Sequence, residues 1–266
     1  MPRSTYYQSF HKLQSTHAME NEAILARIKI IQAESKGRFG APKIHQFLKK
    51  ECFNVSLKRV QRIMKAEGIR SIITKKYRPA SSVSQIEERD NLLEQDFETT
   101  TINKKWVADI TYIHTLKNGW CYPASVLDLH TKKIVGYSFS KSMTTELVLQ
   151  ALTKAIEVQQ PEEGLILHTD LGSQYTSEDF EKAVEAAKTE HSFSRKGCPY
   201  DNACIESFHA TLKKEEVYQT TYIDFEAAQI ALFQYIESWY NRKRIHGAID
   251  YLTPQQIEDL CRQVAA

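Results

Sequence analysis

Cysteine is sparse here and offers no framework. The five residues Cys52, Cys121, Cys198, Cys204 and Cys261 are odd in number and include no C-x-x-C pair. That excludes a disulfide scaffold and indicates a reducing compartment. Cys198, Cys204 and His209 lie close in sequence, but not at the spacing of a structural zinc site. Long apolar runs are missing as well. The opening "MPRSTYYQSFHKLQSTHAME" holds no stretch of signal-peptide length, and nothing further on approaches the roughly 18 apolar residues of a membrane span. The expected location is the cytoplasm. Internal repeats and a heptad pattern are also lacking.

What is present is a chain of 266 residues, 42% hydrophobic and 26% charged, enough for a large domain with a smaller one beside it. The net charge of +2 conceals an asymmetry. Residues 1–80 carry 17 Lys and Arg against 5 Asp and Glu, and the remainder carries 18 against 28. A basic first third joined to an acidic remainder suggests a nucleic-acid-binding module attached to something else. A merely solvated basic surface is the plainer alternative.

Three short helices are predicted between Asn21 and Ile69. "NEAILARIKIIQAES" sets Ile24, Ile28 and Ile31 on one face. "GRFGAPKIHQFLKKE" restarts at Pro42 with Ile44, Phe47 and Leu48 inward. "VSLKRVQRIMKAEG" has Ser56 as N-cap, Leu57, Val60, Ile63 and Met64 as its apolar face, and Gly68 as its stop. The last helix turns Lys58, Arg59, Arg62 and Lys65 outward, as a helix-turn-helix-like DNA-binding domain over 1–73 would. Residues 74–101 lose periodicity and read as a linker.

From Trp106 the period changes to two. "WVADITYIHT", "GWCYPASVLDLHT" and "KKIVGYSFSK" predict an antiparallel meander of three strands. "TTELVLQALTKAIE" then reads as a helix with Leu147, Leu149, Leu152 and Ile156 apolar. "GLILHTD" reads as a buried strand, "SEDFEKAVEAAK" as a helix opened by Ser177, and "HSFS" as a short strand. Two further helices follow, "GCPYDNACIESFHATLKKEE" and the long "DFEAAQIALFQYIESWYN". The expected fold of 102–266 is a mixed five-stranded α/β sheet flanked by helices, with a helical tail.

Three acids sit where structural acids are rare. Asp109 interrupts an otherwise apolar strand, Asp170 ends the buried strand, where α/β sheets open their ligand crevice, and Glu206 lies on a helix. On that helix Ile205, Phe208 and Leu212 make a core-facing stripe, and beside it run Asn202, Glu206, His209 or Ala210, and Lys213. Asp201 or Asn202 is expected to cap it, with the helix dipole favouring an ionised Glu206. Acids converging without cations repel unless a cation holds them, and hard oxygen ligands select Mg²⁺ or Mn²⁺. Each acid also has an ordinary reading: a turn for Asp170, a local backbone acceptor for Asp109, a solvated helix residue for Glu206. A glycosidase would also want two acids, but it leaves the basic first third without a purpose.

"WVADITYI", "HTDLGSQY" and "GCPYDNACIESFHATLKKE" together resemble, in order and wording, the catalytic core of second-frame (OrfB) transposases of the insertion-sequence-three family, relatives of retroviral integrases. "KGRFGAPKIHQFLKKE" and "YNRKRIHGAIDYLTPQQI" resemble that family's N-terminal helical domain and closing motif. The resemblance implies an RNase H-like fold, with Asp109, Asp170 and Glu206 as a catalytic Asp-Asp-Glu set binding two Mg²⁺ or Mn²⁺ ions. It implies DNA contacts at Asn202, Lys213 and Lys214, and a DNA transposase that cuts at terminal inverted repeats and transfers the freed 3′-OH. Implied partners are DNA, further copies of the chain on DNA, and a first-frame (OrfA) protein. The opening "PRSTYY" resembles the tail of a longer helical region, so the chain is expected to be the second frame alone. The expected place of action is the bacterial nucleoid. Two departures stand out: Phe39-Gly40-Ala41-Pro42 replaces a Tyr-Gly-Tyr-Arg-like run, and Asp250 replaces a Gly.

Overall fold

The computed structural model describes residues 15–73, 90–195 and 198–265. They form two compact units, 15–73 in the first and 90–265 in the second. No described helix is long and apolar enough to cross a membrane.

The first unit is three helices: α1 (Thr16–Glu34), α2 (Ala41–Lys50) and α3 (Leu57–Ala66). Ile24, Ile28 and Ile31 of α1 are buried, as are Ile44 and Leu48 of α2 and Val60 and Met64 of α3. The expected apolar stripes thus form one small core. α1 is longer than its periodicity suggests, because the Ser15 hydroxyl accepts from Ala18 N–H and opens it five residues before Asn21. Ser56 caps α3 in the same way, accepting from Arg59 N–H. The Gly68 stop has φ +67°, the left-handed region that favours glycine.

In the second unit, β1 (Lys105–Ile110) pairs antiparallel with β3 (Gly119–Asp128), and so does β2 (Ile113–Thr115). Both pairings share one register, so β2 prolongs β1 along the same partner. The single strand expected over "WVADITYIHT" breaks because Thr111 donates its N–H to the carbonyl of Pro123, and proline has no N–H to return. β4 (Ile134–Ser140) lies antiparallel on the other side of β3. β5 (Ile166–Thr169) runs parallel to β1, and β6 (Glu190–Phe193) parallel to β5. The order is β4-β3-β1-β5-β6, the expected mixed sheet, with β2 as a sixth short strand.

The crossover helix α4 (Thr145–Gln159) packs on β4 and β3, and α5 (Glu178–Ala186) joins β5 to β6. Trp106, Ala108, Val126, Leu147, Leu152 and Phe180 belong to the resulting core. Gly136 lets α4 approach this closely: a Cβ there would stand 2.3 Å from the Ala151 carbonyl oxygen. α6 (Ala203–Glu215) packs against β1 and β3, with Ile205, Phe208 and Leu212 buried as the stripe predicts.

Three local readings are corrected. Residues 90–101, read as linker, belong to the packed unit: Leu93 is buried, its N–H donates to Ser192, and Phe193 N–H donates to the Asp90 carbonyl. The rest of that linker, 74–89, and the segment "PRSTYY" lie outside the described residues. Neither Asp201 nor Asn202 caps α6 through its side chain; a 3₁₀ turn, Pro199–Asn202, leads into it instead. Asp201 is wholly buried and accepts from Asn91, Gln95 and Arg195. Finally, the long terminal helix is two pieces, α7 (Phe225–Phe233) and a π-helical run, Gln234–Tyr240. The wider turn brings Tyr235, Ile236, Trp239 and Tyr240 all inside, and ends at Asn241, whose amide pairs with both backbone groups of Ile134 on β4. The chain closes with α8 (Pro254–Ala265). Asp250, standing where the resembling family has Gly, adopts φ +51°.

Candidate active site

Parallel pairing decides where the first two acids meet. β1 and β5 are in register as Trp106 with Leu167 and Val107 with His168, and the same offset sets Asp109 level with Asp170. Both lie at the carboxyl ends of adjacent parallel strands, on the side away from the Trp106–Leu167 core. His168 keeps β5 against β6 by bonding Ser192 and Ser194, and burial pushes its imidazole down to about 4, so it stays neutral.

The third acid comes from α6. Asp109, Glu206, His209, Lys213 and Lys214 line one cleft of about 460 Å³, with Tyr112 and Tyr218 at its sides. Asp170 is not in the cleft lining; register and charge set it beside Asp109. Burial, and then the negative charge of Asp109, push the Asp170 carboxyl up to about 6. The same two causes, in the same order, raise the carboxyl of Glu206. Burial lowers the Lys213 ammonium against the pull of Asp109. Asp109 is thus the charge that all three neighbours feel.

Both ordinary readings of the strand acids are also partly true. Asp109 accepts from Ile110 N–H at 2.8 Å, and Asp170 accepts from Gly172 N–H at 3.0 Å, closing a turn. Each bond uses one carboxylate oxygen, and the second oxygen of Asp109 faces His209 Nδ1 at 3.4 Å. A Cβ on Gly172 would stand 2.9 Å from Asp170 Oδ1, so a larger residue there would push the Asp170 carboxylate aside. Among the described residues no three His, Cys, Asp or Glu side chains already stand at metal-ligating distance. The oxygen-only donor set and mutual repulsion of the three acids fit a hard divalent cation.

The remaining sequence candidates divide. Lys213 and Lys214 face the cleft with Glu206. Asn202 is buried, and its amide donates to the Ala108 carbonyl at 3.4 Å, tying the start of α6 to β1. In the first unit Lys58, Arg62 and Lys65 are exposed on α3. Arg59 instead folds against α1, donating to Asn21 and Glu20 with its side chain 18% exposed. Sequence reasoning placed His209 on the Glu206 line without giving it a role, and passed over Tyr175. His209, one turn from Glu206, is buried with Nδ1 3.4 Å from Asp109 Oδ2. Tyr175 is buried close enough to Asp109 and Asp170 that their charges, after burial, raise its phenol. The helical spacing from Glu206 was the available signal for His209; Tyr175 had only its place in "HTDLGSQY".

The raised Asp170 carboxyl has a measurable consequence. Folded, it binds its proton more tightly than the ordinary carboxyl of the unfolded chain, so its contribution to stability is full below about pH 4 and is lost as pH rises through about 6. Asp170 is exposed, and solvent screening limits the effect to about 1 kcal/mol, or ~2–4 °C. Without divalent ions, Asp170→Asn should flatten the fall in melting temperature across that window. Parallel profiles for the two proteins would remove Asp170 as its source.

Comparison with known proteins agrees with this architecture. Residues 100–199 and 187–254 match two families described as integrase core domain, and residues 19–77 match one described as HTH-like domain. The chain is similar to the transposase for insertion sequence element IS904 of Lactococcus lactis: 38% identical over 249 residues, 93% of this chain and 98% of that one. It is also similar to transposase InsF for insertion sequence IS3A of Escherichia coli: 38% identical over 226 residues, 85% of this chain and 78% of that one. A chain in the simian T-cell lymphotropic virus intasome in complex with PP2A regulatory subunit B56 gamma superposes with TM-score 0.50 at 17% identity. The match covers 82% of this chain and 74% of that chain, and it bears on the fold alone.

Proposed function

The chain belongs to the insertion-sequence-three family of transposases, and on that premise we propose that Asp109, Asp170 and Glu206 are its catalytic set. The reaction is cleavage of a phosphodiester at the element's terminal inverted repeat, followed by attack of the freed 3′-OH on a second strand. In that attack the new P–O bond forms as the bond to the leaving 3′ oxygen breaks, so no covalent link to the protein is needed. The observation that supports the reading is geometric: β1–β5 register sets Asp109 level with Asp170, and Glu206 of α6 lines the same cleft as Asp109.

Asp109, Asp170 and Glu206 would hold the divalent ions, two Mg²⁺ or Mn²⁺. When bound, such ions stabilise the attacking and leaving oxygens of a phosphoryl displacement. Lys213 and Lys214 grip the DNA backbone beside the acids. Asn202 acts on position, keeping α6 seated on β1 so that Glu206 faces Asp109. His209 holds the Asp109 carboxylate from the helix side. The helices of 1–73 grip the terminal repeat through Lys58, Arg62 and Lys65, with affinity that falls as salt rises, while 102–266 carries the chemistry. Further copies of the chain on DNA, and a first-frame protein, complete the assembly in the bacterial nucleoid.

The test is an assay on oligonucleotides carrying the element's end, with Mg²⁺ or Mn²⁺. Joined strands are the expected product. Cleavage without joining would identify a nuclease, and binding without either would identify a regulator of the repeats.

A further inference from the structure

The cleft has an aromatic margin that the chemistry of the acids does not use. β2 points Tyr112, His114 and Leu116 into solvent while burying Ile113 and Thr115. Across the hairpin Trp120 pairs with His114, and its ring meets Tyr112 and His114 edge to face, each at 5.1 Å between centroids. These rings are not a core cluster with one open edge: Tyr112 is 55% and Trp120 53% exposed. Lys213 Nζ stands 3.8 Å over the Tyr112 ring, and both residues line the cleft that holds Asp109 and Glu206. Tyr218, exposed, lines the same cleft.

We propose that Tyr112 and Trp120, with Tyr218, form a platform on which unpaired bases of a single DNA strand stack beside the acid cleft. Stacking on exposed aromatic rings next to backbone-binding cations is how single strands are held without regard to sequence. A duplex keeps its ring faces within the stack and has none to offer, so an unpaired strand is the fitting occupant. The cation within the patch, and its continuity with the phosphate-handling lysines, favour DNA over an apolar protein surface. The inference rests on the cleft handling DNA but not on the acids being catalytic.

The experiment therefore measures binding in chelator, without divalent ions, using the full chain, a short oligothymidylate and a duplex of equal length. Of the three tryptophans, Trp106 and Trp239 are buried, so emission quenched by the single strand reports on Trp120. Trp120→Ala should weaken single-strand binding about tenfold and leave duplex binding within about twofold. Trp120→Phe, which keeps a ring, should retain most of the affinity but lose the quenching. Unchanged single-strand affinity in Trp120→Ala, or quenching that survives in Trp120→Phe, overturns the platform. So does a Trp120→Ala protein altered only in its oligomeric state, which would make the patch an interface between copies.

Discussion

Asp109→Asn is expected to lower divalent-ion-dependent strand cleavage by about 10³-fold or more, equivalent to ~4 kcal/mol of transition-state stabilisation. The argument for Asp109 over its partners is positional. It lies on the central strand β1, level with Asp170, and its charge is felt by Asp170, Glu206 and Lys213. Its replacement keeps the local structure, because an asparagine oxygen can still accept the Ile110 N–H. The fold should therefore survive, and melting temperature without ions should hold or rise as repulsion with Asp170 and Glu206 is relieved. Added Mg²⁺ should raise the melting temperature of the natural chain and not that of the variant. Cleavage within tenfold of the natural chain, in a folded Asp109→Asn protein, would remove Asp109 from the catalytic set.

The second large effect is on stability. Glu215 is the third residue of "KKEE", at the end of α6. Its side chain is fully buried and accepts from Tyr235 OH, Trp239 Nε1 and Arg244 Nε, each at 3.0 Å. It joins the last turn of α6 to the π-helical run and to the loop beyond it. Glu215→Ala would leave the Arg244 guanidinium buried without its counter-ion and two ring donors without an acceptor. A loss of about 3–5 kcal/mol is expected, read as a fall of ~10 °C in melting temperature or a lower denaturation midpoint. Glu215→Gln, which keeps an acceptor but not the charge, should fall between. A melting temperature in Glu215→Ala within ~2 °C of the natural chain would show that this network holds little of the fold together.

The contrast between these two acids shows where local pattern stops being informative. Asp109 was legible because an acid inside an apolar, β-branched run is costly, so its presence asks for a reason. Glu206 was legible because it rides beside a stripe, Ile205, Phe208 and Leu212, that had to face a core. Glu215 carries no such mark. Its partners lie 20 to 29 residues further on, and only tertiary packing brings Tyr235, Trp239 and Arg244 to it. The outward-facing reading of Arg59 missed for a related reason, because Arg59 bonds α1, and the tie from Asn202 to β1 likewise spans elements distant in sequence.

By itself the sequence determined what depends on neighbours along the chain. The Ser56 and Ser177 caps, the apolar faces of the first three helices and the alternation of the strands are short-range consequences of side-chain size, polarity and backbone preference. The identity of the three acids and the family likeness were also readable there. Tertiary structure alone decided how those acids meet. Asp109 and Asp170 become neighbours through parallel pairing across the α4 crossover, and Glu206 joins them because α6 is seated on β1 by its apolar stripe and Asn202. No local pattern specifies that pairing, because parallel strands touch only after a long connection has closed, and the register is set by the burial of both sheet faces together.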